Sequence, residues 1–579
     1  MPTGSSAPGL VELTHGLGGA HRNKIARLDA FLFAAACVLL LGAKLLAVLH
    51  YRIDSDEPQH LHVVWNWLHA GVGYRDFFDN HAPLFHLVSA PILAGFGEHA
   101  STLLAMRSVL LLVYAANLVA ASALARMFTT PHLARWAGPA LGVFPPFFLT
   151  STEWRPDGLW ALAFLGCLNL LIRGHWRPVR IFCAFLVLGF GFCVSLKTVL
   201  MLVVLLQAFA ILYFASVRSA RPALPVVCQS AVAALLGLAL FPAMLALYLA
   251  MQHALPYAWE AMVSHNLLPE STPVATKVTR TVQWLLALVL PVSASVLAWR
   301  RLESSNAGRY RTFLTLIALL FLVTLRCHWR CVTAEDYLPL HALLVPLALP
   351  AVAHAGQKIG GARPARCVPW LTFAICLLLS AVQGRLWENR TRCKLNLVAN
   401  ALRLAPPGAY VMDAKGETIF RRRPTRLVLE HLTILRIKHR LLTDDIAERL
   451  VDRRVAVVSD CKLTAGAAAL VNVEYLPVAW RLRVLGKWLP PSSTQGGQTA
   501  YAFEVKIPET YVFIGQEGVV TGELDDAPLT GTAFLSAGRH RFRCGRRASG
   551  PLALFWAHAQ EAGYTPFVTL APDRRGVED

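Results

Sequence analysis

The stretch Phe31-Leu-Phe-Ala-Ala-Ala-Cys-Val-Leu-Leu-Leu-Gly-Ala-Lys44-Leu-Leu-Ala-Val-Leu49 decides the class of this protein. A helix apolar on every side belongs in a large core or in lipid. Comparable runs recur at 103–125, 136–149, 159–172, 181–194, 199–214, 224–250, 282–298, 313–325, 337–353 and 369–382, which gives about eleven predicted spans, some short for the roughly 20 residues of a full crossing. Of the 579 residues, 55% are hydrophobic and 16% charged, where a soluble domain carries about 25% charged. The expectation is a mainly α, polytopic membrane protein.

The net charge of +20 and pI of 9.7 would suggest nucleic acid in a soluble chain. Here cytoplasmic loops that collect Lys and Arg explain it without a nucleic-acid partner. Residues 1–28 are polar and Gly/Ser-rich, then basic at Arg22, Lys24 and Arg27, and are expected to form a disordered cytoplasmic tail. No small-residue cleavage site obviously follows 31–49, so that segment is expected to be a retained helix and not a signal peptide.

A further apolar segment, 83–96, lies between the first two spans. If it rests in the interface without crossing, the basic loops at Arg126/Arg135, Arg173/Arg177/Arg180, Arg218/Arg221, Arg300/Arg301/Arg309/Arg311 and Lys358/Arg363/Arg366 all share the side of the N-terminus. It is therefore expected to be an interfacial helix. Segments 52–82, 151–157, 251–281 and 326–336 then face outward with the C-terminal region, and a bacterial inner membrane with a periplasmic outer side suits that arrangement.

The expected domains are the tail 1–28, a membrane module 29–384 whose first outward loop is 50–100, an outward α/β subdomain 385–495 and a β-rich subdomain 496–579. In the last two, strands are predicted at 410–414, 455–459, 501–505 and 511–515, with a capped helix at 443–451. Cys327, Cys331, Cys393, Cys461 and Cys544 lie in outward regions, where disulfides are permitted but no pairing follows from spacing. Arg421–Arg423 and the cluster Arg436, Lys438, Arg440 suit anionic lipid, though a solvated basic face is the plainer expectation. Residues 535–540 resemble the final hairpin of small carbohydrate-associated β-domains.

The residues that could carry chemistry begin just past the first span, in Asp54-Ser-Asp56-Glu57-Pro58-Gln-His60-Leu-His62. Pro58 suits a first helical turn, and carboxylates ahead of it could simply cap the helix. Three carboxylates within four residues at a membrane surface weaken that explanation. The loop continues Gly71-Val-Gly-Tyr74-Arg75-Asp76-Phe77-Phe78 and His81-Ala-Pro83-Leu84-Phe-His86. Polar groups this dense at an interface must find partners or water.

An Asp-Glu pair after the first helix, a Gly-x-x-Tyr-Arg-Asp-Phe-Phe segment and a His-x-Pro-Leu segment together resemble the GT-C membrane glycosyltransferases. Among these are the dolichyl-phosphate-mannose protein mannosyltransferases and the bacterial aminoarabinose transferases. Arg107 at the start of the second span, Trp154-Arg155-Pro156-Asp157 in the second outward loop and Ser195-Leu-Lys197-Thr198 between apolar runs keep the family's order. One departure is Glu335-Asp336-Tyr337-Leu338-Pro339, acidic where relatives carry a basic residue before Tyr-x-x-Pro.

The resemblance implies a hexosyl- or pentosyltransferase that moves a sugar from a polyprenyl-phosphate carrier to a lipid, glycan or protein acceptor on the non-cytoplasmic face, with inversion. It assigns the general base to Asp56, with Glu57 orienting it, while the additional acid Asp54 leaves the choice of base between Asp54 and Asp56 open. A carboxylate in hydrogen-bond reach can take the acceptor's proton, and the leaving phosphate needs only positive charge nearby. Lys197, Arg107, Arg75 and Arg155 are the candidates for that charge, Asp157 could hold a hydroxyl or orient Arg155, and His81 is a further substrate-binding candidate. Asp56, His60, His62, His81 and His86 could hold a divalent ion, but no tight metal-ligand signature appears and no cofactor is firmly implied. The competing functions are a transporter or flippase of lipid-linked glycans, with Lys44, Arg107 and Lys197 lining a path, and a noncatalytic envelope-assembly protein. Transporters commonly carry duplicated halves, and the sequence shows none.

Overall fold

The protein is described from a computed structural model, covering residues 19–573 except 175, 217–220, 268–305, 330–331, 361, 496–497 and 546–550. The predicted span 282–298 lies outside the described residues. The chain divides into two compact units. One consists of Met1–Tyr51, Arg107–Leu247 and Glu270–Asn389, the other of Arg52–Met106, Tyr248–Pro269 and Arg390–Asp579.

This is a multi-pass membrane protein. Among the described residues, six helices are long and apolar enough to cross: Arg27–His50, Thr102–Ala125, Thr198–Ala215, Leu224–Met251, Asn306–Cys327 and Ala334–Gly356. Their outer surfaces are what lipid requires. The Leu224–Met251 helix exposes Leu235, Leu236, Leu240, Met244 and Leu247, a patch that in water would drive association.

The remaining described spans also form helices, that at 369–382 lying within Ala362–Gly384. Asp157–Gly174 and Pro178–Val194 form helices of 18 and 17 residues. The predicted span 136–149 is two helices, Pro131–Val143 and Pro145–Thr150. Phe144 between them is extended, with ψ 116°, because a residue before proline is pushed out of the helical region. The first helix begins at Gly19, inside the segment expected to be a tail, and 1–18 lie outside the described residues. Helices Pro178–Val194 and Leu224–Met251 meet at Gly189 and Gly237, where an added Cβ would stand 2.5 Å from Leu238 O and 2.3 Å from Phe182 O. Small residues let membrane helices approach this closely.

In the other unit, helix Asp56–His69 packs on helix Leu84–Phe96. The latter has 13 residues and at 1.5 Å per residue reaches about 20 Å, against roughly 30 Å of hydrocarbon. It is too short to cross as a regular helix.

The C-terminal part of this unit carries two sheets. An eight-stranded sheet runs in the order Val411–Met412, Val457–Ser459, Leu482–Leu489, Leu552–Trp556, Glu509–Gly515, Thr532–Leu535, with Tyr475–Ala479 and Gly518–Val519 joined at its sides. It draws strands from both 385–495 and 496–579. A five-stranded sheet runs Ala527–Leu529, Gly522–Leu524, Gly538–Gly545, Gln498–Val505, Ser493–Gln495. The two meet through Phe513 and Phe542, whose rings stack at 3.8 Å. Strand Leu552–Trp556 is buried at every residue, as a strand covered on both faces must be.

Three expectations need correction here. The turn at 536–538 does not close a hairpin: Thr532–Leu535 pairs in the larger sheet and Gly538–Gly545 in the smaller, so the turn carries the chain between sheets. The helix predicted at 443–451 starts at Ile446, and Asp445 at its N-cap instead accepts from Arg449 Nε at 2.7 Å. Of the arginines 421–423 only Arg422 is exposed to solvent. Arg421 is buried against Glu98 and the Ala405 carbonyl, and Arg423 donates to the carbonyls of Asp413, Ala414 and Leu427.

Candidate active site

The three carboxylates after the first span have different partners. Asp54 Oδ1 accepts the Asp56 backbone N–H at 3.1 Å, and its Oδ2 faces Arg52 at 2.9 Å. Glu57 is fully buried, and its Oε1 accepts the Asp54 N–H at 2.8 Å. These two hold the turn into helix Asp56–His69, as helix-end carboxylates do. Asp56 keeps more of its side chain exposed, 28%, and its Oδ1 receives the Lys415 ammonium at 2.7 Å.

Beside this turn, in the same unit, the loop before helix Leu84–Phe96 builds a histidine network. Asp79 is buried; its Oδ1 accepts from His81 Nδ1 at 2.8 Å, and its Oδ2 lies 3.2 Å from His86 Nδ1. His86 Nε2 stands 3.0 Å from His60 Nδ1. Burial would raise the Asp79 carboxyl, but the charge of His86 and the hydrogen bond from His81 outweigh it and hold the group well below the usual carboxylate range. Burial works against the His81 imidazolium, yet the hydrogen bond to Asp79 and its charge, with Glu430 and Asp56 adding to them, raise it above the usual histidine value. Two of the histidines weighed as possible metal ligands thus turn toward Asp79, and His60 turns toward His86. Among the described residues no group of three or more His, Cys, Asp or Glu is arranged to hold a metal ion.

Arg75 forks onto its neighbour Asp76, Nε to Oδ1 at 2.9 Å and Nη2 to Oδ2 at 3.0 Å. Asn80 and His265 both reach Glu430 Oε1, at 2.8 and 3.2 Å. His62 donates from Nδ1 to Ile419 O at 2.7 Å.

The other unit holds a second cluster. Lys197 Nζ lies 3.0 Å from Asp157 Oδ1 and 2.5 Å from Asp336 Oδ1. Arg155 pairs with Glu335 and lies 3.4 Å from Asp157 and 4.0 Å from Glu153. Burial alone would lower Lys197; Asp157 and Asp336 outweigh it and hold the ammonium above the usual lysine range. The acids at 335 and 336, unexpected in the sequence, are therefore the partners of Arg155 and Lys197. Asp336 also closes a capping box with Thr333. The cluster thus sets two cations among four carboxylates. Glu153, Arg155 and Asp157 line a small cavity with Tyr114, Asn117 and Thr150.

Arg107 is buried and donates to Tyr51 O at 2.9 Å and Val48 O at 3.3 Å, closing the carbonyl end of the first helix. Lys44 is buried and donates to Phe148 O, Ser151 Oγ and Thr152 Oγ1 at 2.6, 3.0 and 2.8 Å. The residues that sequence reasoning missed are Lys415 and Glu430. The run Asp413-Ala-Lys415-Gly416 signals a tight turn, but nothing in it names Asp56 as the partner.

No protein-family profile matches this sequence, and no curated protein matches it. Among solved structures, that of ArnT from Cupriavidus metallidurans in the apo state is similar with a TM-score of 0.52 at 12% identity, covering 80% of this chain and 98% of that one. ArnT from the same organism bound to undecaprenyl phosphate is similar at 0.52 and 12%, over 79% and 97%. The Archaeoglobus fulgidus oligosaccharyltransferase in the apo form scores 0.42 at 10% identity, over 87% and 76%. The chain is built on the GT-C fold of ArnT, with a C-terminal β-rich region.

Proposed function

We propose that this protein is a glycosyltransferase that moves a sugar from a polyprenyl-phosphate carrier to an acceptor on the non-cytoplasmic face, with Asp56 as general base. The observation that carries the reading is Asp56 itself, at the start of the helix after the first span on a GT-C fold. Its neighbours Asp54 and Glu57 are engaged in shaping the turn. Support for the donor comes from the ArnT structure bound to undecaprenyl phosphate. Support for a common side comes from the first loop and the C-terminal region belonging to one compact unit.

In the reaction the acceptor oxygen attacks the anomeric carbon opposite the phosphate, and Asp56 takes the hydroxyl proton as the new bond forms. The bond between the anomeric carbon and the phosphate oxygen breaks, and its electron pair leaves on the phosphate. A single displacement of this kind inverts the sugar. His81, whose protonated form Asp79 favours, supplies positive charge to the departing phosphate when it carries that proton. The Asp157, Arg155 and Lys197 cluster is assigned hydroxyl recognition, because its carboxylates already balance its cations.

The test is to incubate the purified protein with radiolabelled polyprenyl-phosphate hexoses and pentoses and a membrane extract, and to identify what becomes labelled. Transfer should occur with one donor class and collapse in Asp56→Asn. If no label leaves any carrier, or Asp56→Asn transfers as the parent does, the enzyme reading fails.

A further inference from the structure

We infer that Lys415 is a working residue of the Asp56 site, one that holds the base in an ion pair until a phosphate anion draws the ammonium away. This rests on the reading of Asp56 as the base.

The loop that presents Lys415 is tightly built. Asp413 is fully buried and accepts from Gly416 N at 2.6 Å, Thr418 N at 2.9 Å and Thr418 Oγ1 at 2.7 Å, with Arg423 Nε 3.1 Å from it. Glu417 Oε2 accepts the Lys415 backbone N–H at 2.9 Å. Gly416 has φ +88°, and a Cβ there would stand 2.6 Å from His62 Cβ. The loop therefore lies against helix Asp56–His69 at a distance only glycine allows, and the bond from His62 to Ile419 O fastens its far side.

Everything in this loop is anchored by backbone and buried pairs except the Lys415 side chain, which crosses to Asp56. The pair is partly buried, with 13% of the Lys415 side chain and 28% of the Asp56 side chain exposed. Taking two charges out of water costs desolvation that offsets their attraction, so stability alone does not account for so specific a mounting. The chemistry gives a better reason. A carboxylate in an ion pair is a weaker base than the same carboxylate released from it. A lysine ammonium is a compact charge on a flexible stem with three donors, suited to change partner. When a phosphate arrives, Lys415 can turn to its oxygens, so the base is released only where a phosphate is present. During transfer Lys415 keeps its protons; it meets the negative charge that accumulates on the phosphate as the glycosidic oxygen departs.

The phosphate could be carried by a lipid or be free, and the experiment separates the two. Full-length protein in detergent micelles is titrated with undecaprenyl phosphate and, separately, with inorganic phosphate, as wild type, Lys415→Met and Lys415→Arg. Loss of one charged hydrogen bond should weaken binding by about tenfold or more in Lys415→Met, and Lys415→Arg should restore most of it. Dependence for the lipid alone assigns a lipid phosphate; dependence for both assigns the phosphate group itself. The pH profile of transfer is the second readout. The charged groups around Asp56 are Lys415, Asp54, Glu57, Arg52 and His81. Removing Lys415 alone should move the acid limb to higher pH, which a purely structural role would not do. If Lys415→Met binds undecaprenyl phosphate as wild type does and keeps its pH profile while Asp56→Asn is inactive, the Lys415 inference is overturned and the base reading stands. If Asp56→Asn is active, the base reading has failed first.

Discussion

Asp79 and His81 are joined twice across two residues: Asp79 Oδ1 accepts the His81 backbone N–H at 3.1 Å and its ring Nδ1 at 2.8 Å. Because the histidine is raised and the carboxylate lowered, the pair has a defined pH range. The His81 contribution is complete below its unfolded value of about 6.5 and fades as pH rises through the higher folded value. The Asp79 contribution is complete above its unfolded value of about 3.9 and fades as pH falls toward the lower folded one. Asp79→Asn should therefore lower Tm most between about pH 4 and 6.5, with the gap to wild type narrowing at higher pH. Thermal melts of the purified protein across pH check this; a gap constant with pH would separate His81 from the Asp79 charge.

Lys197 compensates two buried carboxylates, Asp157 and Asp336. Its removal in Lys197→Met should destabilise the protein by about 3–5 kcal/mol, because both acids lose their counter-charge. Lys197→Met combined with Asp336→Asn should be less destabilised than the single effects sum to. Denaturant melts of the two single variants and the double variant measure the coupling, and simple additivity would contradict the pairing.

Gly237 faces the Phe182 carbonyl, a backbone atom that cannot yield. Gly237→Ala should cost about 1–3 kcal/mol through overpacking. Gly42→Ala, with no heavy atom within 4 Å of the added carbon, should leave Tm near the parent value. Equal effects at the two sites would rule out close helix contact at Gly237.

The acidic turn predicts a rank order in activity. Asp56→Asn should reduce kcat by about 10²–10⁴-fold, the range for a general base, with little change in Tm. Asp54→Asn should lose less activity, since an amide oxygen can still accept the Asp56 N–H. Glu57→Ala should show itself mainly in Tm, because it removes a buried acceptor of the Asp54 N–H. Transfer assays and melts on the three variants give the order; a larger activity loss at Asp54 would move the base there.

What the sequence made readable was whatever local pattern controls. The apolar runs gave the spans at Thr102–Ala125, Thr198–Ala215 and Leu224–Met251 because lipid imposes both length and composition. Local steric rules, by contrast, broke 136–149 at Pro145, which a hydropathy reading passes over. The partners of individual charges were not readable. Nothing near Lys197 in the sequence names Asp336 as its partner, and Arg423 suggested a surface charge until it was found on Asp413. These pairs join residues far apart in sequence, and no spacing rule reaches across such separations.

The Lys415–Asp56 pair also sets an order on biosynthesis. Its members are 359 positions apart, so the acidic turn is made long before its partner exists. The sheet that holds the Lys415 loop closes later still, since Leu552–Trp556 lies between Leu482–Leu489 and Glu509–Gly515 in its middle. Contacts of such long range form late and slowly. A chain ending before residue 552 therefore has its acidic turn but lacks the central strand of the sheet that seats the lysine. Nascent molecules therefore carry the acidic turn without its lysine partner until translation nears its close.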